Sequence, residues 1–269
     1  MSKVVFITGG SSGIGKAIGD FLTEKGYKVY GTSRNPDNYV SSSKFMLLKM
    51  DVGNSSSIEE AVSEVIKKEE RLDILINNAG VGITGPVEET PDNEILKAFD
   101  TNVLGPIRVM KAVLPQMRAQ KSGLVINITS IAGYMGLPYR GIYSATKSAL
   151  EITTEAMRME VLQFGIEMAN VAPGDFATNI AAGRYHAPQL DSSPYKKAYG
   201  HTLNMMNEHV DQGEDPSQMA RAIYKIIQTR KPKVRYRVGA FLQKFSVVLR
   251  RVLPGRVYER MLMNHYKLK

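Results

Sequence analysis

No cysteine and no tryptophan occur in this chain of 269 residues. The first absence excludes a disulfide framework and thiolate metal ligation, and it suits a reducing compartment. There is no basic, apolar and small-residue leader at the N-terminus, and no uncharged apolar run as long as about 18 residues, so neither secretion nor a spanning helix is expected. A cytoplasmic location is the resulting expectation. Linker-like and low-complexity stretches are missing too, and no internal repeat is visible, so residues 1–269 read as a single domain with one large core. Acidic residues are scarce only at the end. Between Arg230 and Lys269 stand twelve Lys or Arg and one acid, Glu259, a local charge of +11, against 23 basic and 25 acidic residues in the rest.

What is present begins with alternation. Apolar, strand-like runs at 3–8, 28–33, 45–50, 73–77, 123–129 and 166–171 are separated by helix-like stretches near 14–25, 56–70, 92–119 and 141–164. This order predicts an α/β fold with right-handed crossovers and a parallel sheet covered on both faces. Ser55 to Ser57 before Ile58 reads as a capped helix start, and Gly165 as a stop. The first run ends abruptly at Gly9-Gly10-Ser11-Ser12-Gly13-Ile14-Gly15, after which Ile14, Ile18, Phe21 and Leu22 recur at helical spacing. A glycine turn that opens a helix leaves N–H groups unpaired and free to receive phosphate. The spacing is G-x-x-x-G-x-G rather than G-x-G-x-x-G, but Gly9, Gly13 and Gly15 serve the same ends of tight turning, backbone approach and helix packing.

A second cluster lies further on. Tyr143 and Lys147 are four residues apart within the predicted helix 141–164, which puts the phenol and the ammonium on one face. A tyrosine with an ordinary pKa of about 10 is a poor acid near neutrality, and an adjacent cation favours its phenolate. Ser130, at the end of a predicted strand, offers a hydroxyl to an oxygen that gains negative charge. The four histidines, His186, His201, His209 and His265, have no metal-ligand spacing, and no metal is expected.

The two clusters together resemble the short-chain dehydrogenase/reductase family in its single-domain form, and the likeness covers most of the chain. The family's cofactor turn corresponds to Thr8 to Gly15, its N-N-A-G segment to Asn77-Asn78-Ala79-Gly80, and its active-site asparagine to Asn102. Its catalytic serine corresponds to Ser130, its Y-x-x-x-K to Tyr143 and Lys147, and its P-G segment to Pro173-Gly174 with Thr178 beyond. The resemblance implies a Rossmann-type doubly wound sheet in strand order 3-2-1-4-5-6-7 and a nicotinamide cofactor. It further implies that Tyr143 exchanges the proton, Ser130 steadies the substrate oxygen, Lys147 holds the nicotinamide ribose, and Asn102 anchors a water linking Lys147 to solvent. The cofactor would touch Gly9, Ser11, Ser12, Gly13, Ile14, Gly15, Ser33, Arg34, Asp51, Val52, Asn78, Ala79, Gly80, Tyr143, Lys147, Pro173, Gly174, Phe176 and Thr178. Phe176 departs from the smaller aliphatic residue usual there. Homodimers or homotetramers are common in the family, with faces made by the helices near 92–119 and 141–164.

At the end of the second strand, NAD-binding relatives generally carry an acid, and this chain has Ser33 and Arg34, a hydroxyl and a guanidinium suited to a 2′-phosphate. NADP(H) is the expected cofactor. If Arg34 is merely solvated and Asp37 takes the acidic part, NAD(H) is favoured instead. Residues 175–212 correspond to the family's substrate lid, in which Phe176, Tyr185, Tyr195, Tyr199, Met205 and Met206 either line a bulky apolar pocket or pack the lid. Residues 240–269 form a basic extension with two amphipathic helices, marked by Phe241, Leu242, Phe245, Val248, Leu249 and Val252, then by Val257, Tyr258, Met261 and Leu262. Their apolar faces either close over the core or pocket or contact an anionic membrane surface. Nucleic acid is not expected as a partner, because no recognition motif accompanies the basic patch. With this tail the chain looks more like the steroid, retinol and 3-ketosphinganine branches than the acyl-carrier ketoreductases, which implies a large hydrophobic ketone or alcohol. A soluble 3-oxoacyl-thioester or small-carbonyl reductase is the alternative, and a non-catalytic NADP(H)-sensing protein the alternative of another class.

Overall fold

Val4–Ile7 (β1) is a run of four apolar residues, and every one of them is buried. A strand buried on both faces needs a helical layer on each side of its sheet. The computed structural model describes residues 2–42, 44–177, 183–211 and 213–268 and supplies both layers. After β1 come α1 (Gly13–Glu24), β2 (Lys28–Ser33), β3 (Met46–Lys49), α2 (Ser55–Glu69), β4 (Ile74–Asn77), β5 (Ile83–Thr84), α3 (Asp92–Phe99), α4 (Gly105–Gln120), β6 (Gly123–Ile128) and α5 (Gly141–Val161). The chain continues through β7 (Ile166–Pro173), β8 (Tyr185–His186), α6 (Lys196–Asp211), α7 (Ser217–Ile227), β9 (Arg235–Val238), α8 (Phe241–Val252) and α9 (Gly255–His265).

Seven strands form one sheet in the order β3-β2-β1-β4-β6-β7-β9, all parallel, while β5 and β8 pair separately. Counting only the main-sheet strands, this is the order 3-2-1-4-5-6-7 and a Rossmann-type doubly wound fold. The period of two sorts β1 between the layers. Val4 and Phe6 pack with Ile58, Val62, Val109 and Val113 of α2 and α4, and Val5 and Ile7 with Ile18, Leu22, Met219 and Ile223 of α1 and α7.

Three elements differ from the sequence reading. The predicted helix 92–119 is two helices joined by a wide turn at Asp100–Leu104, where the Gly105 N–H reaches back five residues to the Asp100 carbonyl. Such π-type turns concentrate at functional positions, and this one carries Asn102. Helix α2 is capped not by a serine but by Asn54, whose side chain accepts from the Ser57 N–H at 3.1 Å. The basic tail begins with a strand, β9, whose register pairs Asn170 with Arg235 and Val171 with Tyr236. Arg235 and Arg237 are the exposed positions of this edge strand, while Tyr236 and Val238 pack inward.

One buried carboxylate fastens that edge. Glu151 of α5, 2% exposed, accepts from the Thr129 hydroxyl at 2.6 Å, the Tyr134 hydroxyl at 3.2 Å and the Arg235 Nε at 3.1 Å. Burial pushes the Glu151 pKa up, while the Thr129 hydrogen bond and the Arg235 charge pull it down. A raised carboxyl pKa means that stability is fullest at low pH and falls as pH rises through the folded pKa. Arg235→Ala removes the compensating cation and is expected to cost about 3 kcal/mol at neutral pH, the lower end for a broken buried pair because Arg235 is partly exposed. Urea denaturation should show that cost shrinking as pH falls and Glu151 takes up a proton; a cost independent of pH would contradict this.

Candidate active site

Because every strand of the main sheet runs the same way, their carboxyl ends share one edge, where ligands of open α/β sheets gather. Gly9, Arg34, Asp51, Asn78 and Ser130 each lie within two residues beyond a strand end, and Pro173 is the last residue of β7. At this edge Thr8 acts as a staple that the sequence reading missed. Its hydroxyl accepts the N–H groups of Asn78 and Ala79, both at 3.0 Å, and the Asn78 amide donates in return to the Thr8 and Gly9 carbonyls, also at 3.0 Å. The signal was present, since Thr8 is the polar residue that ends the apolar run Val4 to Ile7.

The glycine turn fits a dinucleotide pyrophosphate. Gly9 and Gly13 adopt φ of +67° and +53°, and a Cβ on Gly15 would stand 2.2 Å from the Gly9 carbonyl oxygen and 2.5 Å from the Asn78 amide nitrogen. Helix α1 is therefore drawn tight against the turn. Its N-cap residue, Ser12, makes no side-chain capping bond and no acid occupies the first turn, so the helix start keeps free N–H donors for an anion. Ser11 is half-buried and Ser12 exposed beside them. Ser33 is half-buried with its hydroxyl accepting from the Asn35 N–H at 3.2 Å, and Arg34 and Asp37 are both exposed. Asp51 is exposed and turns back onto the Gly53 N–H at 2.9 Å, whereas the Val52 side chain is buried in the core.

Across the same edge, the helix α5 presents Tyr143 and Lys147, 8% and 5% exposed. The Lys147 ammonium donates to the Ile128 carbonyl at the end of β6 at 3.1 Å and lies 5.9 Å from the Tyr143 ring centre. No carboxylate pairs with it among the described residues. Ser130 caps the short turn Ile131–Tyr134, with its hydroxyl accepting the Ala132 N–H at 3.2 Å. That turn packs directly on α5, since a Cβ on Gly133 would stand 3.2 Å from the Lys147 Cβ.

Asn102 is fully buried, and both its amide hydrogens are used, one on the Val81 carbonyl at 2.9 Å and one on the Thr146 hydroxyl at 3.1 Å. Its oxygen accepts the Val81 N–H at 2.8 Å. Thr146 passes the restraint on by donating to the Tyr143 carbonyl at 2.8 Å. The Asn102 side chain thus locks the loop after Gly80 to α5, and Gly80 sits between, a Cβ there being 3.1 Å from the Asn102 oxygen and 3.4 Å from the Lys147 nitrogen.

The lid is arranged differently from the apolar pocket considered above. Phe176 is 3% exposed and packs in the layer with Met219 and Ile223, so only its backbone remains at the site edge. A chain segment held by backbone bonds between Ala177 and Glu214 and between Glu214 and Asp175 pulls the ring inward. Tyr199 and Met206 are buried as packing, with the Tyr199 hydroxyl donating to the Thr84 carbonyl at 3.1 Å. Met205 is half-buried, and Tyr195 bonds Glu88 at 2.5 Å. Tyr185 alone of that set joins the cluster around Tyr143, with Ile83, Leu137 and Ile142. Thr178 lies outside the described residues. Gly174 is covered by the tail, because the Gln243 side chain accepts the Asp175 N–H at 3.1 Å and donates to its carboxylate at 2.7 Å. Gln243 had no signal of its own in the sequence, being 68 residues away.

Residues 3–189 match the family model for the short chain dehydrogenases. The chain is 37% identical over 268 residues to a 3-ketodihydrosphingosine reductase of Bacteroides thetaiotaomicron, with 99% of both covered. It is 30% identical over 281 residues to an NADPH-dependent 3-dehydrocapnine reductase of Ornithobacterium rhinotracheale, with 98% of both covered. A solved short-chain dehydrogenase from Streptomyces avermitilis superposes with a TM-score of 0.81 at 31% identity, covering 99% of this chain and 96% of that one. The chain belongs to the short-chain dehydrogenase/reductase family and is an oxidoreductase that works with a nicotinamide cofactor.

Proposed function

We propose that the protein is an NADP(H)-dependent reductase that converts a ketone on a long, hydrophobic molecule such as a 3-ketosphinganine-like ketolipid into a secondary alcohol, or runs the reverse reaction. The observation that carries this reading is the buried Tyr143–Lys147 pair held beside Ser130 at the carboxyl edge of the sheet. When bound, the nicotinamide supplies or accepts the hydride. Tyr143 hands its hydroxyl proton to the carbonyl oxygen, Ser130 donates a hydrogen bond to that oxygen as charge develops, and the Lys147 charge favours the phenolate left behind. Asn102 acts as a positioning residue by fixing Thr146 and the loop at Val81. The water role that the family likeness gave it would have to use groups other than its amide hydrogens.

Support for NADP(H) is the exposed Arg34 after β2 and the NADPH dependence in the name of the Ornithobacterium relative. Support for a long, largely apolar substrate is a cleft of about 430 Å³ over the segment after the Ile131–Tyr134 turn, lined by Met135, Leu137, Tyr258 and Leu262 and also by the charged Arg250 and Glu259. Its far wall is α9, so one face of the tail packs over the turn that follows Ser130. The other face is bare. Phe241, Phe245, Val248 and Val252 form a stripe at helical spacing on α8, with Phe241 and Val252 each 73% exposed. Lys244 and Arg251 flank the stripe, a combination that suits an anionic lipid surface. No helix among the described residues is long and apolar enough to cross a membrane. Ile152, Met159 and Leu162, also exposed, lie on α5 and just after it and suit a second copy of the chain.

Tyr143→Phe should lower kcat for ketone reduction by about 10²–10⁴-fold with NADPH binding retained, read as NADPH consumption and fluorescence titration; near-normal turnover would defeat the assignment. In the same assay, Arg34→Ala is expected to weaken kcat/KM for NADPH by about tenfold or more and leave that for NADH little changed. An equal effect on both cofactors would remove Arg34 from the 2′-phosphate. Flotation with phosphatidylglycerol vesicles should carry the wild-type chain and not a Phe241→Asp, Phe245→Asp variant. No association of the wild type, together with good turnover of short soluble ketones, would replace the lipid reading with the small-carbonyl one.

A further inference from the structure

Arg184 is a buried cation that the chemistry above does not use. It is 9% exposed, its Nη1 has no hydrogen-bond partner, and no ion pair among the described residues includes it. A guanidinium taken out of water without partners is costly, and folded chains rarely keep one unless something else completes it. Its place is well defined. The Tyr185 N–H donates to the Gly82 carbonyl at 3.0 Å, and a Cβ on Gly82 would stand 2.9 Å from the Arg184 Cγ. The arginine stem therefore lies against Gly82, two residues past the glycine that faces Lys147.

The groups within electrostatic reach of the guanidinium are Arg140, Tyr143, Asp175 and Tyr199. Burial first, and then repulsion from Arg140, hold the Arg184 pKa below its ordinary value. Arg140 itself lies over the Tyr143 ring, 5.1 Å from its centre. The only carboxylate of the group, Asp175, accepts from Gln243 and forms no ion pair with either arginine. Arg140 thus stands over the tyrosine ring with Arg184 in electrostatic reach of both, and among the described residues neither arginine forms an ion pair. The phosphate-binding turn is elsewhere, at Thr8, Asn78 and the start of α1.

We infer that Arg184, backed by Arg140, recognises an oxyanion on the substrate, and that the ketone carries a sulfonate, phosphate or carboxylate within a few bonds of the carbonyl that is reduced. This rests on the ketone-reductase reading and replaces its 3-ketosphinganine-like example, which carries an ammonium and no oxyanion, with an anionic ketolipid. A guanidinium suits such a group because its planar N–H fork matches two oxygens at once. The same chemistry could come from the phosphates of the dinucleotide, so the experiment separates the two sources.

Two ketones of equal chain length, one with a sulfonate next to the ketone-bearing segment and one neutral, are reduced with NADPH by the wild type, Arg184→Gln and Arg184→Lys. In parallel, 1-octanesulfonate is titrated calorimetrically into the NADP⁺-loaded proteins, and NADPH affinity is measured for each. The wild type should prefer the anionic ketone by about tenfold or more in kcat/KM. Arg184→Gln should lower kcat/KM for the anionic ketone about tenfold more than for the neutral one, chiefly through KM, and abolish the heat of sulfonate binding. Arg184→Lys should keep part of both, which separates lost charge from lost folding. The inference is overturned if the wild type does not distinguish the ketones, or if Arg184→Gln weakens NADPH binding and both ketones alike, which would assign the arginine to the cofactor. If neither ketone is reduced, the reductase reading fails, and the sulfonate titration still decides whether an anion site exists.

Discussion

A buried ammonium held by a backbone carbonyl is the contact on which the candidate site turns. Lys147 donates a hydrogen bond to the Ile128 carbonyl at the carboxyl end of β6, and among the described residues no carboxylate pairs with it. Burying a charge in this way is unfavourable unless the surroundings are fixed around it. The neighbouring elements do this. Gly133 lets the turn after Ser130 press against the Lys147 stem, and the Asn102–Thr146–Tyr143 chain of hydrogen bonds sets where α5 stands relative to the loop at Val81. Tyr143 and Lys147 on α5 and Ser130 at the start of the Ile131–Tyr134 turn are therefore presented by two local structures that cannot shift independently.

Beneath them runs a buried polar ladder. The Asn77 amide donates to the Asn127 oxygen at 2.9 Å, and the Asn127 amide donates to the Thr154 hydroxyl at 2.8 Å. Together with Glu151 this joins β4, β6, β9 and α5 through groups that must stay paired, because an orphaned buried donor costs about 1–3 kcal/mol. The apolar layers give the sheet its stability, and these polar links fix the relative register of its carboxyl edge. The glycine-dependent close approaches at Gly15 and at Gly133 lie where a helix is drawn onto that edge.

Much of this architecture is legible in the sequence because the runs of β1, β4, β6 and β7 are apolar on both faces and the helices between them have clear periodicity. The glycine turn, the Tyr143–Lys147 spacing and the strand-end residues fall where their local signals put them. Elements stabilised by distant partners are not legible in that way. The strand at Arg235–Val238 alternates arginine with an inward Tyr236 and Val238, so it reads as part of a charged tail until β7 is beside it. The wide turn at Asp100–Leu104 leaves the helical pattern nearly intact, and only the backbone bond to Asp100 reveals it. Phe176 has the composition of a pocket residue, yet the pairing of its neighbours with Glu214 turns it into the core. Arg184 carried no signal at all, since its meaning comes from an absent partner.

The C-terminal helices have two distinct faces. Tyr258, Leu253 and Leu262 pack over Ile131 and Met135 beside Ser130, while the Phe241–Val252 stripe faces outward. The chemistry open to the site depends on where a dinucleotide binds. A crystal structure of the chain soaked with NADP⁺ tests this most directly. The account predicts the pyrophosphate on the N–H groups that open α1, the nicotinamide ribose within hydrogen-bonding distance of the Lys147 ammonium, and the Tyr143 hydroxyl facing the nicotinamide ring. A dinucleotide bound away from the carboxyl edge of the sheet, or a nicotinamide remote from Lys147 and Tyr143, would contradict it.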